Sequence, residues 1–502
     1  MKNKIGLLVG PIVFVLILLF TDFDKSNPLI SKMAAVAALM AIWWVTEAVP
    51  LAATSLLPIF LFPVLGILNG EQIANTYINS TIFLFLGGFL IALAMEKWNF
   101  HKRVALLIIS IVGTSPQKII LGFLLASAFI SMWISNTATA VMMLPIGLAI
   151  ISQLEEKFPE EVTHSFSAGV LLSIAYGASI GGIATLIGTP PNLSMARILH
   201  IMFPHAPELG FGAWMQLAFP IALFLLTVCY VLLVKVFFKI HKDLSADIKM
   251  IKTEKKKLGK ISSEEIFVGV VFFSTALLWI FRSDLVLGFV TIPGWSNIFA
   301  HPEYFNDGVV AIGMASLLFI IPSKNKESTF LLDKEVFAKI PWGIILLFGG
   351  GFALAKGFVA TGLSESIGKS LTSFGALSPI IIIIVIAFVV QALTEFTSNT
   401  ATAEMVLPIT ASMAVAMHVH PLFFMIPATL SASLAFMLPV ATPPNAVIFG
   451  SQRLKISEMA KVGVCLNLIS IPTLLLAMYF LGRFVFNIDL SVFPDWAIPP
   501  IK

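Results

Sequence analysis

The chain has 502 residues, of which 58% are hydrophobic and only 12% are charged. Soluble globular domains carry roughly 25% charged residues, so this composition excludes an ordinary soluble protein and indicates a polytopic membrane protein. The net charge of +4 is small and the lysines gather in loops, so no nucleic-acid surface is expected. The only two cysteines, Cys229 and Cys465, cannot supply a disulfide framework or a metal cluster.

Apolar segments of about 20 residues predict the membrane-spanning helices. The first follows two lysines and has no small-residue cleavage site after it, so we interpret it as a retained span. Eleven spans are predicted in chain order, at 5–20, 33–49, 51–68, 81–96, 166–200 with a break, 213–238, 263–281, 307–322, 342–360, 422–450 with a break, and 459–485. Two further apolar segments, 118–150 and 379–415, are interrupted by Ser-Asn-Thr. We interpret them as re-entrant helical hairpins with that triplet at the tip.

The distribution of lysines predicts the orientation in the membrane, because cytoplasmic loops carry an excess of Lys and Arg. Eight lysines lie between 239 and 260 and four between 324 and 339, whereas 282–306 holds one Arg and no Lys. With a cytoplasmic N-terminus and non-crossing hairpins, the loops predicted inside are 97–118, 151–165, 239–262 and 323–341. The C-terminus is then predicted outside.

Two motifs occur twice in the chain. The run Ser-Asn-Thr-Ala-Thr-Ala leads to Leu-Pro-Ile at 135–146 and again, 263 residues later, at 398–409. Thr-Pro-Pro-Asn follows each copy, at 189–192 and at 442–445. In the predicted orientation the two copies enter the membrane from opposite faces. The chain is therefore predicted to consist of two inverted-topology repeats.

The repeated motifs are expected to interrupt helices inside the membrane. Proline lacks the backbone donor and clashes with the preceding turn, and each unpaired backbone group costs several kcal/mol in hydrocarbon. Such breaks persist only where protein, water or a ligand supplies hydrogen-bond partners. Inverted repeats with interrupted helices at corresponding positions are typical of secondary transporters, whose binding site lies near the midplane.

The residue types at the tips indicate which ligands they suit. Ser, Asn and Thr offer neutral donors and acceptors, and nearby half-helix N-termini favour an anion. Carbonyl and hydroxyl oxygens at the same unwound ends are hard ligands that suit a small cation such as sodium. Two symmetry-related tips could therefore hold the two carboxylates of one substrate, with a cation behind each.

On these residues the chain resembles the divalent anion:sodium symporter family, the INDY-like bacterial dicarboxylate transporters. The resemblance rests on the paired Ser-Asn-Thr triplets, on the segment 433–445 around the second Thr-Pro-Pro-Asn, and on Trp-Trp-Val-Thr-Glu-Ala at 43–48. It implies an all-α, elevator-type homodimer in the cell membrane. The implied substrates are C4–C5 dicarboxylates such as succinate, malate, fumarate and 2-oxoglutarate, with sodium as the coupling ion and no other cofactor.

The resemblance also implies the residues of the sites. The substrate carboxylates would be bound by Asn136, Thr137, Asn399, Thr400, Thr442 and Pro443. One sodium ion would be bound by Ser131, Ser135, Asn136 and the backbone near Gly188, and a second by Thr394, Thr397, Asn399 and the backbone near Ala441. Ser131 and Thr394 are themselves 263 residues apart, so the implied ligands follow the internal repeat.

The same reasoning divides the chain into a scaffold and a transport domain. Scaffold spans are predicted at 1–117 and 263–378. The transport domain would combine the first hairpin and broken helix, 118–238, with the second hairpin, second broken helix and last span, 379–502. A cytoplasmic Lys-rich linker is predicted at 239–262.

Several alternatives stay open at the level of the sequence. Glu404, whose repeat mate is Val141, departs from the uncharged residue expected in a sodium symporter, and it would carry a proton, pair with Lys356 or face water. Sodium symport and dicarboxylate exchange fit the motifs equally, and sulfate or citrate remains an alternative substrate. An anion channel would place polar stripes along several spans, but most spans are apolar throughout. An intramembrane enzyme would need a catalytic motif that the sequence lacks.

Overall fold

The computed structural model describes residues 2–240, 255–288, 290–325, 328–371, 378–489 and 492–498. Most of the Lys-rich linker predicted at 239–262 lies outside the described residues, which exclude 241–254. Apolar helices dominate the described part of the chain, as the sequence predicts.

The helices of the first repeat are Lys2–Phe20, Leu29–Thr46, Leu51–Thr54, Leu57–Leu65, Gly70–Tyr77, Ser80–Lys97, Phe100–Val112, Pro116–Ser131, Asn136–Glu155, Glu160–Gly182, Pro190–Met202 and Phe211–Val231, the last extended by a π-helical segment, Leu232–Phe237. Those of the second repeat are Ser263–Ile280, Asp307–Leu317, Val336–Lys339, Trp342–Thr361, Leu363–Leu371, Pro379–Thr394, Asn399–Ala416, Pro421–Ser433, Pro443–Phe449 and Ile456–Ala477, which continues through the π turn Met478–Gly482 into Arg483–Phe486. Short 3-10 helices occur at Trp295–Ile298, Pro302–Tyr304 and Asp495–Ala497. The strands Leu285–Val286 and Thr291–Ile292 form a small antiparallel pair.

Nine helices in the described part of the chain are long and apolar enough to cross a membrane. The predicted span 51–68 is divided into Leu51–Thr54 and Leu57–Leu65. Pro58 explains this division, because it has no N–H to bond the carbonyl one turn earlier. The predicted span 307–322 ends as an α-helix at Leu317.

Several helices were not predicted from the sequence, among them Gly70–Tyr77, Val336–Lys339 and two longer ones. Phe100–Val112 lies within the segment 97–118 that the sequence analysis treats as a loop, and Leu363–Leu371 begins 263 residues after Phe100. Of the two longer helices, the first begins with His, Lys and Arg in its first turn and the second carries Glu365 and Lys369, so neither resembles a fully apolar span. Phe100–Val112 packs against the helix Pro116–Ser131, and Leu363–Leu371 packs against Asn399–Ala416.

Ion pairs hold several loop ends together on one side of the helical layer. Lys97 pairs with Asp333 at 2.8 Å, and Arg103 pairs with Glu265 at 2.7 Å, so the loops near 97–103, 265 and 333 share one side. This grouping agrees with the loops predicted to lie together. The hydrogen bond from Lys97 also holds the pKa of the Asp333 carboxyl below its usual range.

The two predicted hairpins are formed and each packs around the helix that follows it. The first hairpin consists of Pro116–Ser131 and Asn136–Glu155, and both arms contact Glu160–Gly182. The second consists of Pro379–Thr394 and Asn399–Ala416, and both arms contact Pro421–Ser433. We call these central helices the leading halves of the first and second broken helices.

The trailing halves of the broken helices, Pro190–Met202 and Pro443–Phe449, cross over to the other repeat. The first trailing half packs against the second-hairpin arm Asn399–Ala416, and the second packs against the first-hairpin arm Asn136–Glu155. Each repeat therefore completes the packing of the other. The two hairpins and two broken helices form one interlocked unit.

A glycine run lets the helix Trp342–Thr361 approach its neighbours closely. A Cβ on Gly350 would lie 2.7 Å from the Cα of Ser55, and a Cβ on Gly349 or Gly351 would collide with Tyr77 or Glu404, respectively. The atoms around these glycines belong to neighbouring helices, so the glycines serve close helix packing. The helix connects the N-terminal helices with the interlocked unit.

We predict that Arg282→Met lowers the thermal stability of the purified protein strongly. Arg282 and Asp307 are both buried and pair at 2.5 Å, and Asp307 also accepts a hydrogen bond from the Phe211 N–H. Removing one partner of a buried ion pair costs about 3–5 kcal/mol. The measurement is the melting temperature in detergent.

The control for this experiment is Arg453→Met, which removes the half-exposed pair with Glu155. An exposed pair contributes about 0–1 kcal/mol, so the control should melt close to the wild type. Equal melting temperatures for Arg282→Met and Arg453→Met would contradict the prediction.

Candidate functional site

The tip of the first hairpin is closed by a hydroxyl and an amide five residues apart. The Oγ atom of Ser131 lies 2.5 Å from the side-chain amide of Asn136. The Ser135 hydroxyl accepts from the Ala138 N–H at 3.3 Å and thereby caps the returning arm. Such capping is what a Ser-Asn-Thr triplet provides at a helix start, because it satisfies one of the free N–H groups there.

The amide of Asn136 also reaches the break in the first broken helix. With its nitrogen turned inward, it donates to the carbonyl oxygens of Gly188 at 3.2 Å and of Ala178 at 3.3 Å. With its oxygen turned inward, that oxygen accepts from the Ser131 hydroxyl at 2.5 Å and faces the two carbonyl oxygens, which cannot donate. The orientation of this one amide therefore determines whether the two carbonyls face a donor or a further oxygen.

The second tip repeats this arrangement. The Thr394 hydroxyl lies 2.8 Å from the Asn399 side-chain oxygen and 2.8 Å from the Ala432 carbonyl oxygen at the end of the second leading half. Thr394 and Asn399 are the repeat mates of Ser131 and Asn136. The neighbouring Thr397 hydroxyl bonds within its own hairpin, to Thr402 at 2.6 Å.

Asparagines at the end of each Thr-Pro-Pro-Asn motif satisfy the carbonyls that the breaks set free. The Asn192 amide donates to the carbonyls of Thr185 at 2.7 Å and Ile183 at 3.3 Å. The Asn445 amide donates to those of Leu438 at 3.0 Å and Ala435 at 3.3 Å. The motif thus combines the prolines that start each trailing half with the amide that closes the break before it.

Glu395 supplies acceptors for the free N–H groups of the second break. Its carboxylate accepts from the N–H of Phe436 at 2.9 Å, of Met437 at 3.0 Å and of Leu438 at 3.1 Å, and from the Asn467 amide at 2.9 Å. These partners are N–H dipoles, and no cation pairs with Glu395 in the part of the chain that the structure describes. Its contacts hold the second break in place.

The first break is held by a different residue at the corresponding place. Met132 is the repeat mate of Glu395, and its carbonyl accepts from the Thr185 hydroxyl at 2.5 Å. Thr185 also accepts from the Gly188 N–H at 3.1 Å. A Cβ on Gly188 would lie 3.0 Å from the Ser131 carbonyl oxygen, which explains a glycine at this close approach.

Four helix N-termini meet in this region, because the returning arms begin at Asn136 and Asn399 and the trailing halves begin at Pro190 and Pro443. The two breaks touch, since the hydroxyls of Thr189 and Ser433 lie 3.4 Å apart. Each N-terminus carries the partial positive charge of its helix dipole, so together they favour a bound anion. The leading halves present their C-terminal carbonyls to the same region, which favours a cation.

The two tips are packed differently. Asn399–Ala416 and the first trailing half contact the glycine-rich helix Trp342–Thr361, and Thr400 is only 7% exposed. Asn136–Glu155 and the second trailing half make no comparable contact with helices outside the interlocked unit in the described part of the chain. Thr137 and Pro443 are correspondingly exposed. The site is thus covered on the side of the second hairpin and uncovered on the side of the first.

Five of the twelve predicted site residues lie together in two groups. Asn136, Ser131 and Gly188 form one cluster, and Asn399 and Thr394 form the other. Thr442 is buried and caps the second trailing half by accepting from the Asn445 N–H at 3.3 Å. Within the described residues, no hydrogen bond joins Ala441 to the second cluster.

Sequence reasoning missed the residues that hold the breaks from a distance. Tyr176 donates from its hydroxyl to the Phe436 carbonyl at 2.8 Å, and Trp214 donates from its indole nitrogen to the Ile183 carbonyl at 3.1 Å. Both are buried polar aromatics in apolar helices. Such residues usually need a partner, which is the only signal in the sequence that could have indicated them.

Comparison with known proteins identifies the family. Residues 2–488 match the family described as the sodium:sulfate symporter transmembrane region. The chain belongs to this symporter family. The resemblance read from the paired motifs, to the divalent anion:sodium symporters, is confirmed, and the protein is a multi-pass membrane protein.

Family relatives are similar over nearly the whole chain. The sodium-dependent dicarboxylate transporter SdcS of Staphylococcus saprophyticus is 43% identical over 494 residues, covering 97% of this chain and 93% of the relative. The transporter of the same name from Staphylococcus aureus strain MRSA252 is 44% identical over 493 residues, covering 97% and 92%. The match includes both hairpins and both broken helices.

Two solved structures share the fold at low sequence identity. MtrF of Neisseria gonorrhoeae, described as one of a class of antimetabolite efflux pumps, matches with a TM-score of 0.57 and 14% identity over 93% of this chain and 97% of MtrF. The YdaH transporter of Alcanivorax borkumensis matches with a TM-score of 0.54 and 14% identity over 83% and 90%. These matches concern the fold alone.

We predict that Glu395→Gln destabilises the second break. The amide that replaces the carboxylate would point a donor at backbone N–H groups that are donors themselves, leaving buried groups unsatisfied at about 1–3 kcal/mol each. The variant should melt at a lower temperature than the wild type. Glu71→Gln, on an exposed side chain, is the matched control and should melt like the wild type.

Proposed function

We propose that this protein is a secondary transporter for dicarboxylates that is coupled to sodium. The observation that carries the proposal is the pair of matching clusters, Ser131 with Asn136 and Thr394 with Asn399, each placed at a break in a membrane helix. Both relatives described above are named sodium-dependent dicarboxylate transporters. Their similarity spans both clusters.

The substrate site is proposed between the two tips. Asn136, Thr137 and Asn399 supply neutral polar groups, and the four helix N-termini supply partial positive charge without a basic side chain. An anion held in this way is bound less tightly than by an arginine pair, which suits a carrier that must release its substrate. Two tips related by symmetry fit a molecule with two carboxylates, such as succinate, malate, fumarate or 2-oxoglutarate.

The sodium sites are proposed behind the tips. At the first, the Asn136 oxygen, the Ser131 hydroxyl and the carbonyls of Gly188 and Ala178 form a set of hard oxygen ligands when the amide oxygen faces inward. Ala178 is an addition to the ligands expected from the sequence. At the second site, the corresponding oxygen ligands would be the Thr394 hydroxyl, the Asn399 side-chain oxygen and the Ala432 carbonyl.

Dicarboxylate exchange without sodium is the second candidate, and one observation favours it. With its nitrogen turned inward, the Asn136 amide satisfies the same carbonyls without any cation. Exchange needs no coupling ion, so this closed arrangement would suffice. The names of the relatives favour symport over exchange.

Transport is proposed to occur by movement of the interlocked unit against the remaining helices. The uncovered first hairpin and the covered second hairpin support this interpretation, because inverted repeats can exchange their environments. With the predicted orientation, the first hairpin belongs to the cytoplasmic half, so the described state would be open to the cytoplasm. From the family resemblance, the working unit is proposed to be a homodimer.

Uptake into proteoliposomes tests the coupling. Vesicles are loaded with buffer or with succinate, and labelled succinate uptake is measured with and without an inward sodium gradient. Symport predicts concentrative uptake into empty vesicles that requires sodium. Uptake that requires internal succinate and ignores sodium would reject symport in favour of exchange.

We predict that Asn136→Ala and Asn399→Ala each abolish succinate uptake, because each removes a shared ligand of the substrate and a cation. Size-exclusion profiles and melting temperatures establish that the variants remain folded. Near-normal uptake by either folded variant would refute the site.

We predict that Ser131→Ala raises the sodium concentration for half-maximal uptake about tenfold, the effect of about 1.4 kcal/mol of lost binding free energy. Ser110→Ala is the matched control, since the exposed Ser110 hydroxyl bonds only the Leu106 carbonyl of its own helix. An unchanged sodium dependence in Ser131→Ala would contradict the first sodium site.

A further inference from the structure

Near the proposed substrate site, one pair of corresponding positions in the two repeats differs in charge. Glu404 lies on the returning arm of the second hairpin, five residues after Asn399, and its repeat mate on the first hairpin is Val141. The Glu404 residue is 0% exposed, whereas Val141 is 53% exposed. The corresponding side chains are therefore buried in the second repeat and exposed in the first.

The Glu404 carboxyl group lies between two parts of the proposed machinery. One of its oxygens is bonded by the Ser194 hydroxyl on the first trailing half, and the other has no hydrogen-bond partner. The carboxyl group also packs directly against Gly351 of the helix Trp342–Thr361, since a Cβ there would collide with it. It is buried where the interlocked unit meets the helices outside that unit.

No cation compensates this carboxyl group within the described residues. Lys356, the partner considered in the sequence analysis, instead donates to the Gln72 carbonyl at 2.9 Å, and Lys32 on Leu29–Thr46 donates to the Leu65 carbonyl at 3.1 Å. The other charged or titratable groups on elements packed against Asn399–Ala416 are Arg197, His200, Glu365 and Lys369, and none forms an ion pair with Glu404. Pro379–Thr394 and Pro421–Ser433 carry no charged residue.

Burial without a cation decides between the three roles considered for Glu404. It neither pairs with Lys356 nor faces water. Moving an unpaired carboxylate out of water costs several kcal/mol, and a single hydroxyl donor does not offset that cost. A protonated carboxyl group avoids the cost and has a proton to donate.

We propose that Glu404 is a proton-binding site that must be occupied for the covered state described here to form. The proposal rests on the proposed alternation between two states. When the repeats exchange environments, Glu404 takes the open place that Val141 has here and Val141 takes the sealed one. Glu404 then exchanges its proton with the water of that cavity, and the proton returns to the same side from which it came.

This arrangement makes the balance between the two states depend on pH without moving protons across the membrane. The conformation seen in the structure, with Glu404 buried and protonated, binds one more proton than the conformation in which Glu404 is hydrated and ionised. By linkage, the ratio of the two states can change by up to tenfold for each pH unit. Alkaline conditions on the side that reaches Glu404 should therefore deplete the described state.

The test uses a Val141→Cys variant in a Cys465→Ser background, because Cys229 is fully buried. The rate at which a thiol reagent alkylates the introduced cysteine in detergent-solubilised protein reports the fraction of molecules in which residue 141 is exposed. It is measured between about pH 6 and about pH 9, and divided by the rate in the same protein with Glu404→Gln, which cancels the titration of the thiol itself.

The proposal expects this ratio of rates to fall as pH rises, by several-fold over the range. A ratio that stays constant with pH, while labelling still responds to succinate or sodium, overturns the proton site and leaves the proposed function intact. Labelling that responds neither to pH nor to these ligands overturns the alternation on which both proposals rest.

A second variant covers the case in which Glu404→Gln fails to fold. Glu404→Val copies the residue of the other repeat and removes the titrating group, so the parent rate divided by the Glu404→Val rate should fall with rising pH in the same way. A ratio to Glu404→Val that stays constant with pH would assign the effect to another group and overturn the proposal.

Discussion

The structure depends on satisfying backbone groups at two helix breaks inside a hydrophobic layer. Hydrocarbon offers no hydrogen bonds, so each free N–H or carbonyl must find a partner in the protein. Asn192 and Asn445 close the carbonyl side of the breaks, and Glu395 closes the N–H side of the second. The helix ends kept open by these partners are the groups that face the proposed ligands. The chemistry of the site therefore follows from how the breaks are stabilised.

Much of this arrangement could be predicted from the sequence. The 263-residue spacing of the Ser-Asn-Thr motifs, the paired prolines and the lysine-rich loops indicate two inverted repeats with hairpins and broken helices. Ser131 with Asn136 and Thr394 with Asn399 were expected together and lie together. These features are predictable because each follows from local chemistry, namely a helix cap, a missing donor or a charged loop.

Other features could not be predicted because they depend on contacts between distant segments. Thr185 bonds Met132 and Tyr176 bonds Phe436, and neither pair shares a motif or a spacing. The helix Phe100–Val112 was missed because its charged residues make it look like a loop. Glu404 could be recognised as unusual from the sequence, but only its burial shows which of its possible roles survives.

The crosswise packing of the trailing halves has a mechanical consequence. Each one begins beside its own repeat's tip yet is clamped by a hairpin of the opposite repeat. Separating the two tips would break both of these contacts at once. Under the proposed alternation the two hairpins would therefore move together, and a bound molecule would be carried with the interlocked unit as a whole.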